Sequence, residues 1–409
     1  VSSLTAEKWV TREQVIGPSS PVACSPSVRI SRPRSRVRES WPSGRLLDPF
    51  LTRMSGVPRR GEKGRGASTL QPVLVSMVSL ASGVALAAAC AIRGGWALIL
   101  LPPAWVLTLH GLRNLALTVL HQCAHRAFFG GVRRWNDRLG DLLAAVSFVQ
   151  SYRSFRREHL ECHHPVLMSR DDPAVRFPID VLGLRPGASL AMLERRLLGR
   201  LVSPLFHLRL LALRGRWWWD EASAWQRGAG ILHVFAVGVI GVFHPLPLLL
   251  AWILPLTLLL DLPVALKDCL EHVHPPPGTP EGEARIPLCT HQIRFGESAP
   301  TSSRGPRATL CWIRWWLVLL VYHVPARLVF APGEGVVHDW HHRRPRDPDW
   351  PSGILARQVC VEEWHRQGGA TFEPPWTHVW GLHAALRENL MSLSRARPED
   401  LQREAGRRP

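Results

Sequence analysis

Lysine is almost missing from this chain. Of its 50 basic residues only Lys8, Lys63 and Lys267 are lysine and the rest are arginine, a bias that speaks of GC-rich codons more than of function. No two of the eight cysteines, at 24, 90, 123, 162, 269, 289, 311 and 360, form a CxxC pair. That argues against the tightly spaced cysteines of structural zinc sites and suits reduced thiols in a cytoplasm-facing protein. No GxGxxG fingerprint marks a nucleotide or flavin site. No RNA- or DNA-binding motif accompanies the net charge of +18. The arginines instead flank apolar runs, as they do in cytoplasmic loops beside membrane spans. The chain is therefore read as a membrane protein and not as a nucleic-acid binder.

What is present is concentrated. The 409 residues are 46% hydrophobic, yet the mean hydropathy is −0.01, so apolar and polar stretches must alternate. Residues 1–68 are rich in Arg, Ser, Pro and Gly without apolar periodicity and read as disordered. Met54, which begins MSGVPRRGEKGRG ahead of an apolar run, is a plausible true start; an organelle transit peptide is the other reading, opposed by Glu7, Glu13, Glu39 and Asp48. Apolar runs over 72–92 and 96–120 are each near the ~20 residues that cross a bilayer. The short linker Arg93-Gly94-Gly95 makes them a hairpin. A second apolar block, 229–266, is split by His244-Pro245-Leu246-Pro247 into runs over 229–243 and 248–266, because proline ends helices. Two hairpins return every loop of interest to one face. Dense arginine over 126–216 and 343–357 makes that face cytoplasmic. The segment 206–219 suits a helix lying in the interface, and the run 310–320, with Arg314 inside it, reads as interfacial or packed on the loops. The expected fold is all-α: two transmembrane hairpins within a domain over 69–390, with a polar tail at 391–409.

Nineteen histidines are not scattered evenly. His121 and His125 stand in HQCAH, His159, His163 and His164 in HLECHH, and His338, His341 and His342 in HDWHH; His272 lies just past the fourth apolar run. Spacings of three or four put side chains on one helical face, and neutral imidazole ligates iron, copper, zinc and nickel. With all four groups on one membrane face they can converge, and nine imidazoles are more than one metal uses, so two metals follow. His110, His207, His233, His244 and His323 read as polar packing residues, while His274, His291, His365, His378 and His383 are left unassigned. Cys123 and Cys162 lie inside clusters and are weaker candidates.

These boxes resemble those of the membrane fatty acid desaturase superfamily. HxxxH comes first, then a second box ending in HH and followed by Asp171, Asp172 and Pro173, then Glu271-His272, then HxxHH followed by Pro345. The resemblance covers roughly 70–360 and implies that the nine histidines bind two irons. It also suggests Asp268, one turn before His272, as a side chain reaching iron through water. The second box departs from the pattern by carrying three residues before HH, which makes His159 the ligand least supported by spacing. Asp171, Asp172, Asp339 and Glu271 are candidates to orient imidazoles.

What the resemblance implies about activity is an O2-dependent oxidoreductase that breaks an unactivated C–H bond. Desaturation of an acyl-lipid or similar hydrophobic substrate leads. A hydroxylase or carotenoid-type ketolase of the same superfamily is the near alternative. A non-catalytic histidine-rich membrane metal-binding protein is the alternative of another class. With no flavin fingerprint, electrons must come from an external donor, a ferredoxin or small cytochrome docked on the basic face. The expected location is the bacterial cytoplasmic membrane, with both termini cytoplasmic.

Overall fold

The computed structural model describes residues 36–62, 68–280, 282–300, 305–367, 376–397 and 401. Among the described residues five helices are long and apolar enough to cross a membrane: α1 (Leu70–Arg93), α2 (Gly95–Ala124), α3 (Ala224–Phe243), α4 (Pro245–Glu271) and α5 (Pro306–Phe330). The first four contain the expected runs but extend them toward the histidines. α2 continues past residue 120 through His121, and α4 past residue 266 to Glu271, so ligands sit on or directly after the last turns of spans. Pro102 and Pro103 fall in the first turn of the regular α-helical part of α2, where the missing N–H costs nothing. α1 and α2 pack tightly: a side chain at Gly83 would strike the Thr108 backbone, and one at Gly111 the Ser76 and Leu80 backbone.

The run at 310–320 is part of the longer α5, whose ends are both tied to known segments. Trp315 near its start donates to the Glu297 carbonyl at 3.1 Å and meets Trp41 edge-on at 5.4 Å. Arg327 near its end donates to the Arg53 carbonyl at 3.1 Å. The helix Pro204–Trp219 is fastened to α4 by a buried network. Arg214, fully buried, donates to Asp261 at 2.6 Å and to the Thr257, Leu256 and Phe148 carbonyls. His207 bonds Asp261 at 3.2 Å and the Leu201 carbonyl at 2.8 Å, a packing role of the kind expected for it. His110 likewise bonds Ser79, and His233 accepts from Trp252.

Three expectations need correction. Residues 37–62 are not disordered: they include the helix Leu47–Ser55, and Trp41 and Leu51 are buried against Trp315 and Leu319. Their polar composition concealed order that comes from distant contacts, including Phe295 N–H to the Ser55 carbonyl at 2.9 Å and Gln292 to the Gly56 carbonyl at 2.6 Å. Met54 lies inside that helix. The remainder of 1–68, residues 1–35 and 63–67, lies outside the described residues apart from Ser68. The polar tail does not begin at 391, because the helix Leu382–Arg395 runs into it with Leu393 in the core. The fold is helical but not wholly so: Gln292–Arg294 pairs in parallel with His378–Trp380.

Candidate metal centre

The second box explains its own odd spacing. Residues Glu158–His163 form a π-turn, and the His164 N–H bonds the His159 carbonyl at 3.1 Å. An i→i+5 bond holds one residue more per turn than an α-helix. The third residue between His159 and the HH pair is absorbed by that wider turn, and His159 stays on the ligand face. The spacing that weakened its assignment is thus matched by the backbone.

All nine expected histidines come together. His121, His125, His159 and His341 form one group, and His163, His272, His338 and His342 a second, with ligand atoms in each within 4.8 Å of one another. His164 stands between them, its Nε2 3.1 Å from His159 Nε2 and 3.2 Å from His341 Nε2, its ring 4.7 Å from that of His342. Within the first group His159 Nε2 lies 2.7 Å from His121 Nε2 and 2.9 Å from His125 Nε2. Within the second, Nε2 separations are 3.2 Å for His163–His342, 3.0 Å for His342–His338 and 3.1 Å for His338–His272.

These distances test whether a metal fits. Two nitrogens each about 2.1 Å from a shared ion lie about 3.0 Å apart at a right angle and about 3.4 Å apart at the tetrahedral angle. The observed separations fall in or just below that range. Burial disfavours the charged form of several of these rings. Desolvation first, then Arg346 and Arg156, lowers the His125 pKa to about 4; desolvation, then His163 and His125, lowers that of His164 to about 3. His159, His272, His338, His341 and His342 are held well below the usual imidazole range, by burial and then by each other. His159 Nε2 faces three other Nε2 atoms and has at most one proton to share among them, so lone pairs left facing one another repel unless a cation lies among them. The donor set therefore fits two metal ions.

The surrounding carboxylates divide. Asp172, fully buried, accepts from His163 Nδ1 at 2.9 Å, from Met168 N–H at 2.6 Å and from Ala174 N–H at 2.8 Å. This fixes the tautomer that turns His163 Nε2 to the centre. Glu271 lies 3.7 Å from His338 Nε2 and pairs with Lys267 at 2.9 Å. Asp268 pairs with Lys267 at 3.2 Å and lines the neighbouring cavity. Asp171 is exposed. Asp339 does not reach an imidazole: its carboxylate is held by both Nε and Nη2 of Arg357, at 2.9 and 2.6 Å. Arg357 also bonds Gln292 and the Thr377 carbonyl, which anchors the third-box helix to the two-stranded pair. Neither Cys123 nor Cys162 joins either group.

Sequence reasoning missed Arg357 and Gln292, two polar residues among many, distant in sequence from the boxes. It also missed Phe155, stacked on His159 at 5.4 Å and 6°; an aromatic four residues before a ligand was the available signal. Beside the centre is a cavity of about 370 Å³ walled by Leu112, Ala116, Leu117, Leu120, Leu260 and Val264, with His159 and His163 at its metal end.

Apolar spans that bring together histidine groups able to hold metal ions define a multi-pass membrane protein. The sequence model of the family described as Fatty acid desaturase matches residues 94–325, more than half of the chain, and the chain belongs to that family. No curated protein gives a significant match.

Proposed function

We propose that the chain is a di-iron, O2-dependent oxidoreductase that desaturates an acyl-lipid or similar hydrophobic substrate. The observation that carries this reading is the pair of four-histidine groups, bridged by His164, at the end of an apolar cavity between α2 and α4. The nine histidines would hold two irons, which when bound would supply the oxidising power that no side chain has for an unactivated methylene C–H bond. The overall change balances as one –CH2–CH2– unit, O2, two electrons and two protons giving one –CH=CH– unit and two waters. The electrons come from an external donor, a ferredoxin or small cytochrome.

This chain's own residues do the rest. Leu112, Ala116, Leu117, Leu120, Leu260 and Val264 line the wall against which the hydrophobic part of the substrate packs and from which water is excluded. Asp172 accepts the His163 Nδ1 proton and keeps Nε2 free. Arg357, through Asp339, sets the angle of the helix that carries His338, His341 and His342. Lys267, between Asp268 and Glu271, balances their charge at the cavity's metal end. Asp268 in this reading meets the centre only through water.

The same centre also serves hydroxylation or ketolation, and which outcome follows depends on where the substrate's second C–H lies. In our reading four helices cross the bilayer and α5 lies along its cytoplasmic face. What supports this is that Arg53, Ser55 and Gly56 touch both ends of the α5 region, through Arg327 after its middle and Phe295 and Gln292 before its start. His272, before α5, and His338, after it, share one metal group.

Lipid and pigment profiles by mass spectrometry, from cells with and without an active copy, test the reaction. Loss of two hydrogens supports desaturation and gain of oxygen the alternatives. Stoichiometric zinc without iron in freshly made protein overturns the oxygenase reading.

A further inference from the structure

A charged residue inside the spans has one donor that neither the metal centre nor the packing accounts for. Arg113 lies in α2 eight residues before His121, roughly 12 Å deeper into the apolar region at about 1.5 Å per residue. It is 4% exposed, so it does not reach out to lipid headgroups. Its Nε donates to the Val329 carbonyl at 3.3 Å. Its Nη2 is buried with no hydrogen-bond partner, and among the described residues no carboxylate pairs with it. It shares a helix face with Ala116, Leu117 and Leu120, and all four line the cavity that ends at His159 and His163. A guanidinium buried at membrane depth with an idle donor is costly unless something accepts from it. A simple hydrocarbon chain in this cavity offers no acceptor there. At the arm of the second box Arg176 also lines the cavity, and its Nε too is buried without a partner.

We propose that Arg113 binds an oxygen acceptor on the part of the substrate that lies deepest between the spans, and that the substrate class is therefore an oxygen-bearing lipid. With the carboxylate of a fatty acid held at the mouth of the cavity, a hydroxyl or keto oxygen at the far end satisfies the idle Nη2, whereas a methyl-ended chain leaves it unpaired. Arg176 supplies a second donor. The reacting carbon then lies between two polar anchors, which fixes its register along the cavity more firmly than an apolar wall alone. This inference rests on the reading of the cavity as the substrate site.

The test is a binding experiment on the full-length, metal-loaded protein in detergent. Saturated fatty acids of graded length and their ω-hydroxy counterparts are titrated in parallel by calorimetry. A hydrogen bond to a charged donor makes the hydroxy acid of fitting length bind about tenfold tighter or more than its parent. Arg113→Met brings the two to within about twofold while leaving the parent acid's affinity in place, and Arg113→Lys gives an intermediate preference. Equal or weaker binding of the hydroxy acid at every length in the unaltered protein overturns the proposal, even if Arg113→Met does not fold. A preference that survives Arg113→Met overturns it as well. The readout needs no turnover. Zinc in place of iron, or absence of product, refutes the catalytic reading and leaves the binding preference to be judged separately.

Discussion

Asp172→Asn is a near-isosteric change whose consequence the geometry makes specific. One carboxylate oxygen accepts from His163 Nδ1 at 2.9 Å and Ala174 N–H at 2.8 Å, the other from Met168 N–H at 2.6 Å. All three partners donate. An asparagine has one accepting oxygen and one NH2 group, so one side of the amide must point a donor at a donor. If the oxygen stays with His163, the Met168 N–H loses its acceptor; if it turns to Met168, His163 and Ala174 lose theirs. Charge-assisted bonds contribute about 1.5–3 kcal/mol each, so losing one or two costs about 2–5 kcal/mol of stability. Loss of a partner that orients a metal-bound histidine typically lowers affinity about 10–100-fold. His163 belongs to the second four-histidine group only, so the loss falls on one metal. Chelator competition followed by metal quantitation is expected to show two ions in the unaltered protein and one tight, one weakened in the variant. Two ions with unchanged affinities would refute the argument that Asp172 positions His163, and equal weakening of both would refute the division into two groups.

Other perturbations test the frame around the centre. Gly333 has φ +56°, and a Cβ there would sit inside contact distance of Thr118 Oγ1 and Asn114 Oδ1; Gly333→Ala should destabilise by about 2–4 kcal/mol through strain and overpacking, and an unchanged melting temperature with full metal content would count against it. Trp41, 3% exposed, donates to the Glu297 carbonyl at 2.9 Å and packs on Trp315 and Trp380. Trp41→Ala should therefore lower stability by about 3–5 kcal/mol, and a form beginning at Met54 should behave as badly; either one folding as stably as the full chain would show that residues 37–53 are dispensable. Acid should unfold the metal-free protein through its histidines. His125 and His164 are depressed to about 4 and about 3, so the unfolded chain takes up their protons first, near pH 6.5. Stability is then full above about 6.5 and is lost as pH falls toward 4 and then 3. Denaturant titrations that show stability constant or rising on acidification through that window would contradict the sign.

How much of this was legible depended on whether the information was local. The ligands of the three boxes lie within six residues of one another, so clustering at near-helical spacing singled out eight of the nine histidines that converge, while His272 was marked by its place after the fourth apolar run and by the resemblance. The π-turn at 158–163 was also written in the sequence, as the extra residue in HLECHH, but its meaning was hidden because spacing rules assume α-helical geometry. Proline at 245 and 247 showed where α3 and α4 part. Nonlocal pairing left no such trace. Arg357 joins Asp339, Thr377 and Gln292 across 18, 20 and 65 residues, and one arginine among so many carries no mark of it. Trp41 and Leu51 sit in a stretch whose composition reads as disorder, because their order comes from α5 and the strand at 292–294. Arg314 within the run at 310–320 broke the apolar pattern and made α5 look shorter than its 25 residues.

The cost of assembling the centre argues for why these distant ties exist. Nine imidazoles bring ring nitrogens to within 2.7–3.2 Å of one another, and wherever two lone pairs face each other the arrangement repels until metal arrives. Something besides the metal must hold the boxes near register, or binding would have to supply the whole ordering cost. The ties are distributed accordingly. Asp172 fixes the second box from within its own loop. Asn389, on the C-terminal helix, donates to the His272 carbonyl at 2.8 Å. Arg357 holds Asp339 in the third box, and Gly333 wedges the approach to that box against Asn114 and Thr118 of α2. Between them the ties reach the second box, His272 and the third box from different segments, so no single one prepays the assembly. Damage to any of them should therefore appear first as weaker metal binding and only then as lost fold. That ordering separates a preorganised centre from one in which the metal itself folds the boxes, where metal loss and unfolding would coincide.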